Sequence, residues 1–105
     1  MQRDYRIDAL PEDGLAAHAV VMADHLDQIR AVLANDEVGA LAVVLAPAAS
    51  DHRDWRRALA GGLARAHAPK RVNLVAGIPG EALSAMLTYL GDALGVTGQY
   101  IECHD

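Results

Sequence analysis

The sequence predicts an α/β domain in three layers, with about four parallel strands and three helices. Two observations carry this reading. Uniformly apolar, β-branched runs at 40–47 ("ALAVVLAP") and 71–77 ("RVNLVAG") have the character of strands covered on both faces. Between and around them lie apolar stripes in steps of three and four residues, the spacing of helices that bury one side. Strands alternating with helices need crossover connections. These are right-handed and place the first two helices on one face of a parallel sheet.

Each element follows from local chemistry. Residues 5–10, "YRIDAL", alternate and predict a short first strand. Pro11, Glu12 and Asp13 suit a helix entry, with proline in the first turn and acids at the positive end of the dipole. Leu15, Ala19, Met22, Leu26, Ile29 and Leu33 form the stripe that follows, closed by Asn35 and Asp36. A strand over residues 19–23, "AVVMA", is the competing assignment. After the strand at 40–47, Ser50 or Asp51 can cap a helix with Trp55, Leu59 and Leu63 on one side and arginines on the other. Pro69 ends that helix. Pro79-Gly80-Glu81 opens a third helix with Leu83, Met86, Leu87, Leu90 and Leu94 as its apolar set, Gly95 stops it, and "GQYIEC" (98–103) forms the last strand.

Gly61 and Gly62 sit inside the second helix, where each costs roughly 1 kcal/mol against alanine. They mark either a weak helix held by packing or a place where another helix approaches closely.

Composition narrows the function classes. With 105 residues, 52% apolar and 22% charged, the chain has room for one domain spanning 1–105. The longest uncharged stretch, 38–50, is too short to span a bilayer, and "MQRDYRIDALPEDG" has no apolar core of a signal peptide. A lone Cys103 allows no internal disulfide and suits a reducing cytoplasm. A net charge of −5 argues against nucleic-acid binding. Charge is uneven: six of nine basic residues lie between 53 and 71, and eight of fourteen acids precede residue 38. This is either a solvated helix face or a basic surface for an acidic partner, including the acidic half of a second copy.

The run "LARAHAPKRVNLVAG", followed by "YLGDALGVTGQYIECHD", resembles the short-chain dehydrogenase/reductase family. Leu63-Ala64-Arg65, Ala68-Pro69, Arg71-Val72-Asn73 and Val75 match one family pattern, and Tyr89-Leu90, Thr97-Gly98-Gln99 and Ile101 match a second. The resemblance implies a Rossmann-like fold and spans nearly the whole chain, but only the C-terminal half of the family architecture. It also implies that the helix before the last strand covers the opposite face of the sheet from the first two.

The family's Gly-rich cofactor turn has no counterpart here, so no cofactor is expected. On the same resemblance, the catalytic Tyr position falls at Ala49, the Lys position at Arg53 and the Ser position near Pro47. A methyl group transfers no proton, and arginine does not take over the lysine's role. A non-catalytic protein is therefore expected. The βα turn at 77–80 is read as an ordinary turn rather than an anion site.

Other chemistry is weaker. Ser50-Asp51-His52 holds the residue types of a hydrolase triad, but adjacent residues cannot line up, and a capped turn with a surface His52 is the simpler reading. Cys103, His104 and Asp105 are consecutive and give poor metal geometry, so no metal is expected. His18 and His25 read as half-buried or interface histidines.

In the family, the two helices matching 12–34 and 53–67 form a four-helix interface between subunits. The resemblance thus implies an interaction module that forms a homodimer or joins a full-length dehydrogenase; charge and the short apolar runs, for their part, predict no nucleic-acid or membrane partner. Met22, Leu26, Ile29, Trp55, Arg56, Leu59, Gly61 and Gly62 are its expected contact residues. The alternative is a domain binding a small nucleotide or acyl group beyond the C-terminal ends of its strands. A hydrolase or metal enzyme using His52, Cys103 or His104 comes third.

Overall fold

The computed structural model describes residues 1–104. Strand β1 (Gln2–Ile7) leads into helix α1 (Gly14–Val20), which passes without a loop through a π-helical turn (Val21–His25) into α2 (Leu26–Leu33). Then come β2 (Ala40–Leu45), a 3₁₀ turn (Ser50–His52), α3 (Arg53–His67), β3 (Arg71–Ala76), α4 (Glu81–Asp92) and β4 (Tyr100–Glu102). The four strands form one parallel sheet in the order β1-β2-β3-β4. This is the Rossmann-like α/β arrangement expected from the alternation of elements.

Two cores flank the sheet. On one face Ile7, Leu41, Val43, Leu45, Val72 and Leu74 pack against Ala17, Val21, Ile29, Leu33, Ala60 and Leu63 of the first three helices. On the other, Val44 and Val75 meet Leu83 and Leu90 of α4. Every residue of β2 is buried, because helices cover both of its faces. No helix among the described residues is long and apolar enough to cross a membrane.

Several boundaries differ from the sequence expectation. The first strand runs over 2–7, not 5–10, because it pairs in register with β2 from Gln2 opposite Ala40 to Ile7 opposite Leu45. Asp8 to Leu10 thereby become the loop beyond the sheet. Residues 19–23 are helical, and the competing strand does not form. α1 begins only after Asp13, whose carboxylate caps it by accepting from the Ala16 amide at 2.9 Å. Neither Ser50 nor Asp51 caps α3 with its side chain; Ala49 precedes the 3₁₀ turn and His52 precedes the helix. α4 stops at Asp92, three residues before Gly95. Leu15 and Leu94, assigned to buried stripes, are 83% and 79% exposed.

The basic run 53–71 is not one solvated face. The Lys70 ammonium donates to the Leu33 and Asn35 carbonyls at the end of α2, and Arg71 Nη1 donates to Leu90 O and Ala93 O at the end of α4. Both cations satisfy orphan carbonyls where the helix dipole is negative. Arg53 pairs with Glu102 at 2.9 Å, and Arg56 is buried.

The turn into β4 is held to β3 by side-chain bonds from both segments. Thr97 Oγ1 accepts from the Val72 amide at 2.9 Å, and Asn73 donates to Val96 O and accepts from the Gln99 amide, both at 3.0 Å. Gly98, at φ 74°, turns the chain so that its own amide reaches Val72 O at 2.7 Å. At the opposite edge, β1 carries exposed Arg3, Asp4 and Arg6, with Asp4 and Arg6 paired at 2.8 Å. Charges of this kind discourage edge-to-edge pairing.

Candidate functional site

Two surface features bear on function, one between helices and one at the C-terminal end of the sheet. The first is a groove of about 280 Å³ between the α1–α2 rod and α3. Four expected contact residues line it: Met22, Leu26, Leu59 and Gly62. Met22 is 44% exposed, and a Cβ built on Gly62 would meet nothing within 4 Å. Gly62 therefore leaves open space and accommodates no helix of its own chain.

The other four expected contacts lie elsewhere. Ile29 is fully buried against the sheet, on the face that also carries Ala17, Val21 and Leu33. Trp55 and Arg56 are 8% and 1% exposed, both turned inward from the first turns of α3. A Cβ built on Gly61 would meet the Arg65 guanidinium at 3.1 Å, the end of a flexible side chain of the same helix. No close helix approach within the chain therefore requires a glycine at either position of the pair.

His18, read as a half-buried or interface histidine, also lines the groove, as do Arg30, Ala58 and Ala66, which were missed. Their signal was present. His18, Met22, Leu26 and Arg30 repeat every four residues along one wall, as do Ala58, Gly62 and Ala66 along the other. His18 is half-buried and stacks on Trp55, with ring centroids 5.2 Å apart, tying the two walls together. His25 is half-buried too and bonds the Tyr5 hydroxyl at 2.8 Å.

The second feature is a cleft of about 480 Å³ beyond the ends of β1 and β2. Asp8–Glu12, Ala46–Ala49, His52 and Arg56 line it. Open α/β sheets bind ligands at this end. The positions matched to the family's Ser and Tyr, Pro47 and Ala49, stand in its wall. Neither side chain can exchange a proton. Arg53, at the Lys position, is taken up by its ion pair with Glu102.

His52 is not a surface residue. It is 3% exposed, its Nε2 lies 2.7 Å from Glu12 O, and Trp55 Nε1–H donates to its Nδ1 at 3.2 Å. A donor at Nδ1 and a carbonyl at Nε2 assign the neutral, Nε2-protonated tautomer. Both nitrogens are engaged, so the ring anchors the β1–α1 loop and offers no base to Ser50. Among the described residues no group of three histidines, cysteines or carboxylates comes together as a metal site. Asp105 lies outside the described residues.

No curated protein and no solved structure matches the chain. A family model described as short chain dehydrogenase-like protein matches residues 5–103. That span takes in all the helices, β2 to β4 and the matching residues of both signature patterns, Leu63 to Ile101. The chain belongs to the short-chain dehydrogenase-like family.

Proposed function

We propose that this short-chain dehydrogenase-like domain is a non-catalytic oligomerisation module that pairs with a second copy of itself across the α1–α2 and α3 faces. The observation that carries the reading is the open helical groove, with exposed Met22 on one wall and an unfilled Gly62 on the other. A helix of another subunit can enter there, because no side chain of this chain occupies the space.

Charge favours a second copy as the occupant. The α1–α2 rod carries exposed Asp24 and Asp27 against one exposed cation, Arg30, whereas α3 carries exposed Arg53, Arg57 and Arg65 against one exposed acid, Asp54. In a twofold pair each acidic rod meets the basic helix of the other chain, and the same patch serves both partners. The lack of proton-transferring side chains at Pro47 and Ala49 supports the non-catalytic part of the reading.

Size-exclusion chromatography with light scattering tests the proposal. The expected mass is twice the 11.1 kDa of one chain. A complex formed only on adding a full-length family dehydrogenase would replace the self-pairing with an accessory-subunit role.

A further inference from the structure

Arg56 is 1% exposed, yet it forms no ion pair with any described carboxylate. Its guanidinium lies near the faces of Trp55 and Tyr100, with Cζ 5.3 and 5.6 Å from the ring centroids. Nη1 donates to Ala46 O at 3.0 Å and to the Tyr100 hydroxyl at 3.1 Å. Nε is buried with no partner, and Nη2 likewise makes no hydrogen bond within the described residues. The two neutral acceptors and two rings hold the group in place without neutralising it. A buried cation left in this state is costly unless something completes it.

The unpaired atoms are not scattered. Nε–H and Nη2–H form the parallel edge of the guanidinium fork, whose spacing matches the two oxygens of a carboxylate. Arg56 also lines the cleft beyond β1 and β2, at the end of the sheet where ligands of open α/β folds are held. The rest of that wall is largely apolar: Leu10, Pro11, Ala46, Pro47, Ala48 and Ala49. Asp8 and Glu12, both exposed, also line it and repel any anion, a dianion more strongly than a monoanion. No Lys, Ser or Thr lines the cleft to share a phosphate.

We infer that Arg56 is the anchor of a binding site for a small monocarboxylate with an apolar body, seated in the β1–β2 cleft. The carboxylate takes the Nε/Nη2 edge, and the apolar part lies along Pro11, Pro47 and Ala49. This site is independent of the helical groove and of subunit pairing.

The test is a titration of ¹⁵N-labelled protein with sodium butyrate at constant ionic strength, following the Arg56 Nε–Hε resonance. The site requires a saturable downfield shift of that proton, with the Arg53 signal unchanged. Ala49→Leu, at an exposed position in the cleft wall, should block the shift while keeping the fold. Arg56→Lys should weaken butyrate binding about tenfold or more, since it keeps the charge and loses the fork. The wild-type titration decides the matter even if that variant does not fold. Three results would overturn the assignment: no shift, an equal shift with chloride, or a shift with inorganic phosphate alone.

Discussion

The Asn73 side chain, 3% exposed, holds Gln99 by accepting its backbone N–H at 3.0 Å, while its own amide nitrogen donates to Val96 O. One residue of β3 thus fixes both ends of the turn that delivers β4. Replacing it leaves the part-buried Gln99 N–H and Val96 carbonyl without their partner together. Asn73→Ala should destabilise the fold by about 2 kcal/mol in urea unfolding. Asn73→Asp should cost more, because its second oxygen faces Val96 O where a donor is needed. Equal stability in both variants would show that the turn holds itself.

Gly98 makes the same turn possible at φ 74°, and a Cβ there would come 3.4 Å from the Ala64 side chain. Gly98→Ala should cost about 1–2 kcal/mol. Gly98→Asn should cost less, since asparagine tolerates the left-handed region better.

His52 links α3 to the loop after β1 through Glu12 O and Trp55 Nε1. Phenylalanine keeps most of the volume and loses both bonds. His52→Phe should cost about 1–3 kcal/mol and perturb tryptophan fluorescence, because the indole N–H is left unpaired. A neutral substitution would mean that water replaces both partners.

Gly62 separates two effects. In one chain its Cβ direction is open, so Gly62→Ala should stabilise the isolated domain by about 1 kcal/mol through helix propensity. If a partner's helix packs there, the same methyl group should move dimer dissociation to higher protein concentration. Unfolding measured well below and well above the dissociation midpoint reads both.

Much of this was legible in the sequence, and the failures share a cause. The apolar run at 40–45 and the stripe through Ile29 and Leu33 depend on residues near in sequence, and their elements formed as periodicity dictates. Asn73 and the Thr97-Gly98-Gln99 turn were visible as a family pattern, but their reason was not. It is a set of bonds between segments some 25 residues apart, such as Val72 N to Thr97 Oγ1. Arg56 was misread for a related reason. Nothing adjacent in the chain says that Ala46 O and Tyr100 will receive its guanidinium. His52 likewise depended on Glu12, 40 residues away. The groove was half legible: Met22, Leu26, Leu59 and Gly62 fell on it, while Ile29, at the next step of the same stripe, turned inward.

Pairing through the groove sets the mass of the protein in solution, which light scattering at micromolar concentration reads for the wild type and for Met22→Glu. The wild type should scatter as twice 11.1 kDa. Met22→Glu, changing an exposed side chain, should scatter as a single folded chain with stability within about 0.5 kcal/mol of the separated wild-type chain. A wild type that scatters as one chain and captures no family dehydrogenase, or a dimer indifferent to Met22→Glu, would contradict the account.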